Sequence, residues 1–367
     1  MKNNDTEKER WEEYCASEIQ QVMPIFAKHG FSLDADQLHI KGERYLTRPI
    51  GGAKKILLLG RNSDDARVVI KIGSDKQGIA EIEHERICRD TLDKMDFAHD
   101  ILHSPKELLF TKECGRAITV SEFIEQEISF TERSVPEQFT LALSLLKTQE
   151  QVHATTYGHA RTVRRTFGEM RADDYLQKCK TYTTEIEAAE TKNQQIKETL
   201  EKSFQLLNKN KDAIEQYGGF LANWDLTPQN IRINKNHIYF LDHASFHFGN
   251  KHESWARFIN FMSLYEPQVA HALVEYIRNN RTTEESFSLK LMRVYRLVEL
   301  IRFYTGWLPR TEGSTYELAR ARIDFWHEVL RATFDNNFVF SEVTERYKTT
   351  RDILRSEEEK KRQVGLH

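Results

Sequence analysis

The sequence predicts an α+β fold in two lobes, a small antiparallel sheet followed by a larger, mostly helical body. Three observations point there. β-prone runs cluster before residue 125, helix-periodic stretches dominate after it, and Gly and Pro number only 16 and 7 of 367 residues, too few for a turn-rich all-β chain. The length suits about two domains or one bilobal unit with a sizeable core. The expected division is a helical extension over 1–42, a first lobe over 43–125, a helical second lobe over 126–350 and a polar tail over 351–367.

Composition narrows the class of function. Hydrophobic residues at 39%, charged at 30% and aromatic at 11% describe a globular chain that can fold, not a disordered or fibrous one. Lys and Arg total 53 against 56 for Asp and Glu, so at a net charge of −3 no global field favours nucleic acid or an anionic membrane. Cys15, Cys88, Cys114 and Cys179 lie far apart without a C-x-x-C pair, which indicates neither a disulfide framework nor a thiolate zinc site and fits a reducing cytosol. The start, MKNNDTEKER, lacks an apolar targeting segment, and no apolar run approaches the roughly 20 residues that span a bilayer. A cytoplasmic protein with neither membrane nor nucleic-acid partner is expected.

Element by element, Trp11, Tyr14, Cys15, Ile19, Val22, Met23 and Phe26 recur at helical spacing, with Gly30 as the stop. RYLTRPI, KKILLLG and RVVIKIG, separated by Gly51-Gly52 and the turn-forming RNSDD, read as a three-stranded meander. Residues 76–94 return to helix, and KELLFTK and AITVSEFI after Pro105 add strands. From Pro136 the chain is mostly helical. The charged stretch from about 171 to 216 reads as a solvated helical hairpin or insert, with coiled-coil-like pairing as the alternative. A β hairpin turning at Asn234-Lys235-Asn236 interrupts at 231–242, helices fill 254–350, and SEEEKKRQVGLH reads as a frayed end.

The chemistry concentrates at Asn223-Trp224-Asp225-Leu226-Thr227-Pro228-Gln229-Asn230 and the hairpin ending in Leu241-Asp242-His243. In an antiparallel hairpin the start of the first strand lies beside the end of the second, so Asn230 and Asp242 become neighbours. An amide and a carboxylate of this kind suit Mg²⁺, which takes one or two carboxylates plus phosphate oxygens. Asp225, five residues before Asn230, then faces whatever the metal-bound phosphate faces. Upstream, strand alternation puts Lys71 with Val69 on one face, opposite Val68, Ile70 and Ile72. The following helix offers Glu81, Glu83 and Glu85 as carboxylate partners.

LANWDLTPQNI followed by IYFLDH resembles the H-G-D-x-x-x-x-N and I-D-W/F signature of the aminoglycoside phosphotransferase and choline kinase family, which has the protein-kinase-like fold. About residues 43 to 260 can be laid on that family's order of elements. The resemblance implies Asp225 as catalytic base, Asn230 and Asp242 as metal ligands, and Lys71 on the α/β-phosphates of ATP. Glu85 is favoured as the partner of Lys71 because ERICRDTL resembles the family's E-x-x-x-L-x-x-L helix, with Glu81 as the alternative. By the same resemblance Gly51 and Gly52 lie in the loop over the phosphates, Glu122 and Ile124 offer main-chain hydrogen bonds to adenine, and His153 is a structural helix end. Two departures stand out. The family's His, two residues before the catalytic Asp, is Asn223, and the acidic residue of its G-D-P-x-x-D-L-A stretch is missing, so that Glu253 is expected to cap the next helix instead.

His243, His247 and His252, and the pair His99 and His103, raise a zinc site, which is set aside because neither group has the Cys or Glu companion of a zinc motif. No G-x-S-x-G, P-loop or G-x-G-x-x-G motif is present in the sequence. The expected function is transfer of the γ-phosphate of ATP or GTP, with Mg²⁺, to a hydroxyl of an amino-sugar, choline-like or other amino-alcohol acceptor. Trp255, Phe258, Tyr265, Tyr295, Phe303, Tyr304 and Trp307, near Glu299, are candidates to cradle its cation. The alternatives are a catalytically weak or inactive pseudokinase that senses nucleotide or binds a partner, and a protein kinase, disfavoured because no A-P-E segment follows Asp242.

Overall fold

The first lobe rests on one sheet. In the computed structural model, which describes residues 2–35, 37, 55–95, 103–152, 157–191, 193–235 and 237–355, five antiparallel strands run in the order β1-β2-β3-β5-β4. They are β1 (Ser32–Leu33), β2 (Lys55–Arg61), β3 (Arg67–Gly73), β4 (Glu107–Glu113) and β5 (Arg116–Glu122). The expected strand RYLTRPI lies outside the described residues, and β1 pairs with β2 through Ser32 and Arg61. Asn62 makes the β2–β3 turn tight, its Oδ1 accepting the Asp64 and Ala66 N–H groups at 3.0 and 2.9 Å.

Two helices flank this sheet. Helix α1 (Lys2–Lys28) lays Cys15, Val22, Ile25 and Phe26 on Ile56, Leu58, Val68, Ile70 and Ile72, so the first lobe's core is sheet on helix. Gly30, at φ +77°, ends it as the left-handed residue that glycine adopts without strain. Helix α2 (Lys76–Asp93) starts at Asp75, whose carboxylate accepts the Gly78 N–H at 2.7 Å, and its far end buries Cys88 and Leu92 in the second lobe's core.

The second lobe comprises α3 (Val135–Gln151), α4 (Tyr157–Phe167), α5 (Ala172–Ala189), α6 (Gln194–Lys209) and α7 (Lys211–Gln216), then α8 (His252–Tyr265), α9 (Pro267–Asn280), α10 (Thr283–Thr305), α11 (Gly313–Phe334) and α12 (Ser341–Leu354). Between the two sets sit β6 (Phe220–Asn223), β7 (Ile231–Asn234), β8 (His237–Phe240) and β9 (Phe246–Gly249), with β6 paired to β9 and β7 to β8. Helix α10 is the centre: Leu291, Met292, Val294, Leu297, Val298 and Ile301 are all inaccessible.

The charged 171–216 stretch is a helical hairpin but not a solvated insert. α5 buries Tyr175, Leu176, Cys179 and Ile186, and α6 buries Ile196, Leu200 and Leu207, both within the main core and against α10. Its charge lies on the outer face while the helical repeat keeps an apolar stripe inward. Among the described residues, no helix is long and apolar enough to cross a membrane.

Candidate active site

In the first lobe, β3 and α2 bring together one ion pair. Lys71, paired in register with Leu57 and Thr119, turns away from the buried Val68, Ile70 and Ile72, and its Nζ meets Glu85 Oε1 at 2.5 Å. The other two acids are used elsewhere, Glu81 by Lys55 at 2.5 Å and Glu83 by Lys112. Glu122, at the end of β5, donates its N–H to the Lys106 carbonyl at 3.0 Å and accepts the Lys106 N–H on its own carboxylate at 2.9 Å. Ile124, two residues on, is buried, and its main chain makes no hydrogen bond among the described residues. Gly51, Gly52 and His153 lie outside the described residues.

Asp225 stands in the loop that follows β6, and that loop is tied from both sides. Asn223 accepts the Asp225 N–H on its side-chain Oδ1 at 2.8 Å, an Asx turn, while the buried Ser254 Oγ accepts the Asn223 N–H at 2.8 Å. The carboxamide thus shapes the loop at the position where the resembled family has an imidazole. Asn230 Nδ2 donates both to the Asp225 carbonyl and to Asp225 Oδ2, each at 2.8 Å. Arg257 of α8 donates Nη2 and Nε to Asp225 Oδ1 at 2.6 and 3.2 Å. Ser254 and Arg257 are three residues apart, one helical turn, so a single face of α8 holds the loop.

The hairpin brings the second carboxylate to the same end. Ile231 pairs with Phe240, and the Leu241 N–H reaches the Asn230 carbonyl at 3.0 Å, which places Asp242 beside Asn230 in backbone terms. Asp242 accepts the Ala244 N–H on Oδ1 at 3.1 Å and the Ser245 hydroxyl on Oδ2 at 2.6 Å. The neighbouring His243 imidazole is pushed down to about 3 by burial first, then by the cations Arg89 and Lys71, with Asp242 opposing. The Cys88 thiol is raised to about 12 by burial and by the carboxylates of Glu85 and Asp242. Asp242 thus acts on both buried groups, with first-lobe Lys71 on His243 and Glu85 on Cys88.

This donor set fits a hard divalent cation. Both donations by Asn230 come from Nδ2, which leaves its Oδ1 for a ligand, and each Asp242 oxygen keeps a lone pair. The histidines do not converge: His243 meets Ser104 Oγ at 2.7 Å, His247 meets Glu253 Oε2 at 2.7 Å and His252 meets Ser288 Oγ at 3.0 Å.

Beneath the loop is a network that sequence reasoning missed. Glu253, 1% exposed, accepts from Tyr175 OH at 2.6 Å, His247 Nε2 at 2.7 Å and Arg296 Nη1 at 3.3 Å. Burial alone would push this carboxyl up, yet His247, Arg296 and Tyr175 together hold it down at about 2. Glu253 is thus the hub of a buried network and not a helix cap. Asn250 does the capping, its Oδ1 accepting the His252 N–H at 2.9 Å. Arg296 also donates Nη2 to the Trp224 carbonyl and pairs with Glu299 at 2.6 Å, linking α10 to the loop.

The aromatic candidates divide. Trp255, Phe258 and Tyr295 are core residues with 0–1% exposure, and Tyr265 stacks on Phe261 at 4.2 Å. Tyr304 and Trp307 do face a cation, but it is the protein's own Arg322, 5.0 and 5.3 Å from their ring centres. The exposed aromatic next to Asp225 is Trp224, stacked on His247 at 5.5 Å with Lys178 Nζ 5.8 Å from its ring centre.

No protein-family model matches this sequence, and no curated protein matches it significantly. Solved structures do. The ternary complex of a thermostable mutant of the aminoglycoside phosphotransferase APH(4)-Ia with AMP-PNP and hygromycin B superposes at a TM-score of 0.52 and 12% identity, covering 77% of this chain and 92% of that one. The macrolide 2′-phosphotransferase MphH from Brachybacterium faecium matches at 0.52 and 14%, covering 83% and 98%. An ethanolamine kinase from Plasmodium vivax matches at 0.51 and 13%, covering 78% and 82%. The chain has the protein-kinase-like fold of the small-molecule phosphotransferases. At this identity the likeness is one of architecture, and within the phosphotransferase fold the two-lobed layout read from the sequence, sheet first and helices after, is the one observed.

Proposed function

We propose that this chain is a small-molecule phosphotransferase that binds a nucleoside triphosphate between its lobes and transfers the γ-phosphoryl group to an acceptor hydroxyl. The observation that supports this reading is the hydrogen-bonded Asp225–Asn230 loop next to the hairpin whose Leu241 N–H meets the Asn230 carbonyl at 3.0 Å, one residue before Asp242, together with the Lys71–Glu85 ion pair of the first lobe. Lys71 positions the α/β-phosphates, Glu85 orients Lys71, and the adenine edge lies against Glu122 and Ile124, with Gly51 and Gly52 over the phosphates. Asn230 and Asp242 hold Mg²⁺, which neutralises charge on the transferring group.

In the transfer the acceptor oxygen bonds to the γ-phosphorus, the bond from that phosphorus to the β-bridging oxygen breaks, and the hydroxyl proton passes to the Asp225 carboxylate. Arg257, donating to Oδ1 at 2.6 and 3.2 Å, aims that carboxylate. Aminoglycoside, macrolide and ethanolamine kinases of this fold point to amino sugars and amino alcohols as the acceptors to screen.

The test is turnover with Mg-ATP or Mg-GTP against such a panel, paired with nucleotide titration. Asp225→Asn is expected to lower kcat by about 10²–10⁴-fold while nucleotide affinity is retained, and Asp242→Asn to lose nucleotide affinity. Equal loss of nucleotide binding in both variants would sink the assigned roles. A second reading, a nucleotide-binding protein without turnover, is favoured by Arg257, which occupies Asp225 Oδ1 with two hydrogen bonds. It predicts Mg-nucleotide binding to the wild type with no product from any acceptor.

A further inference from the structure

Charge around the Asp225 loop, and on the faces of α5 and α10 beside it, balances except for one group. The carboxylates are matched by arginines: Asp225 has Arg257, Glu253 and Glu299 share Arg296, and Glu185 pairs with Arg302 at 2.5 Å. Glu299 also accepts from Tyr182 OH at 3.5 Å. The aromatic pair suited to a cation, Tyr304 and Trp307, is filled by Arg322. To pair with any of these acids an acceptor ammonium would have to displace an arginine, which leaves a second cation to be compensated.

The group left over is Lys178. Tyr175, Lys178 and Tyr182 follow one another at three and four residues, so they share one face of α5. Tyr175 reaches Glu253 beneath the loop and Tyr182 reaches Glu299, while Lys178 between them brings its Nζ to 5.8 Å from the centre of the Trp224 ring. Its one hydrogen-bond partner among the described residues is the Met170 thioether, with Nζ 3.4 Å from Sδ, a weak acceptor. The acids nearest along the chain are already used. Asp174, one turn earlier, accepts the Arg171 N–H at 2.8 Å, and Glu169, beside Met170, pairs with Arg164 and Arg171 at 3.0 and 3.4 Å. Lys178 is half-buried, so its charge is less screened than that of a fully solvated lysine.

Trp224 gives that charge a place to act. It directly precedes Asp225, it is 39% exposed, and its ring is fixed by stacking on His247, which Glu253 holds. We propose that Lys178 selects the acceptor: the molecule that presents its hydroxyl to Asp225 carries a carboxylate that pairs with the Lys178 ammonium, which makes it a sugar acid or hydroxy acid and not an amine. One lysine balances one negative charge, whereas a phosphate monoester carries nearly two and is matched better by arginine forks. Lys178 is a specificity residue and takes no part in bond making. The inference rests on the phosphotransferase reading and narrows its acceptor, since the fold's relatives supply the amines to screen while this chain's own charges favour an acid.

The test is turnover by the full chain, with Mg-ATP or Mg-GTP, of acceptors that differ in one group: glucuronate, glucose, glucosamine and a glucose phosphate, and, for short acceptors, glycolate, ethanol and ethanolamine. The wild type is expected to favour each acid over its neutral counterpart by about 5–10-fold in kcat/KM, chiefly through KM, with the amines lowest. Lys178→Met is expected to bring the acid-to-neutral ratio to about one, Lys178→Glu to invert it in favour of the amine, and Lys178→Arg to keep it, whereas a merely structural lysine would move all acceptors together. Should Lys178→Glu fail to fold, the ratio in Lys178→Met and Lys178→Arg decides. A wild type that prefers the amine, the neutral molecule or the sugar phosphate, or an acid preference that survives in Lys178→Met, overturns the inference and leaves phosphoryl transfer standing. No product from any acceptor by a chain that binds Mg-nucleotide sinks the phosphotransferase reading itself, and the inference with it.

Discussion

The two lobes hold their functional residues by opposite means. In the first lobe Lys71 and Glu85 form a partly exposed pair, 31% and 17% accessible, on the face of the sheet away from its core. In the second, Asp225 is held by a loop whose own supports, Asn223, Ser254, Glu253 and Arg296, are all buried. A partly solvated pair stabilises little and is free to exchange its partner for a phosphate, whereas a buried, fully bonded network fixes a geometry before any ligand arrives. The side proposed to take the nucleotide is therefore adjustable, and the side proposed to take the acceptor preorganised.

The strongest way to break that contrast is at Glu253. Glu253→Ala leaves Arg296 buried with one carboxylate fewer and Tyr175 and His247 without their acceptor, and is expected to cost about 3–5 kcal/mol in chemical denaturation, with the Asp225 loop loosened. If it unfolds no more easily than the wild type, the second lobe is not held as described.

Acidification comes next. His243 is neutral in the fold, with its pKa lowered to about 3, but titrates near 6.5 once unfolded. The unfolded state therefore binds more protons between those values, and stability falls as pH drops below about 6.5, by about 1.4 kcal/mol per pH unit for this group. His252, also lowered, adds to the fall, and Glu253 adds its own as pH drops from about 4.5 towards 2. Melting curves of wild type and His243→Gln across pH 7 to 4 check it, the variant having the shallower slope.

Asn223→Ala removes the acceptor of the Asp225 N–H, an effect of about 1 kcal/mol on stability and a larger one on turnover. Smallest is Glu85→Gln. Solvent screening limits its stability cost to at most about 1 kcal/mol, while titration of Mg-nucleotide should show weakened affinity. A large loss of stability in Glu85→Gln would erase the distinction between the lobes.

Much of the architecture is legible locally. The stripe of α1, the alternation of β3, the Asn62 turn and the hairpin at Lys235, whose φ of +54° marks the left-handed turn residue, all follow from repeats of two or 3.6 residues and from turn chemistry. The 171–216 stretch misleads because its charge is obvious and its apolar stripe is diluted, so burial against α10 shows only once the helices are packed. Glu253 misleads for a related reason: an acid in the first turn of a helix is usually a dipole partner, and nothing nearby reveals that Tyr175 and Arg296 converge on it. The one local hint to the loop's supports is the three-residue spacing of Ser254 and Arg257.

The sequence by itself determined the sheet-then-helices layout, the face of β3 that carries Lys71, and the hairpin that brings Asn230 towards Asp242, since these follow from periodicity and from hydrogen bonding between residues close along the chain, while the short strands β1, β6 and β9 emerged only in the fold. Tertiary structure decided which acid Lys71 takes, which cation meets Asp225, and that Arg322 fills the Tyr304–Trp307 pair. Charges choose partners by distance and burial, and both are set by packing between segments tens of residues apart.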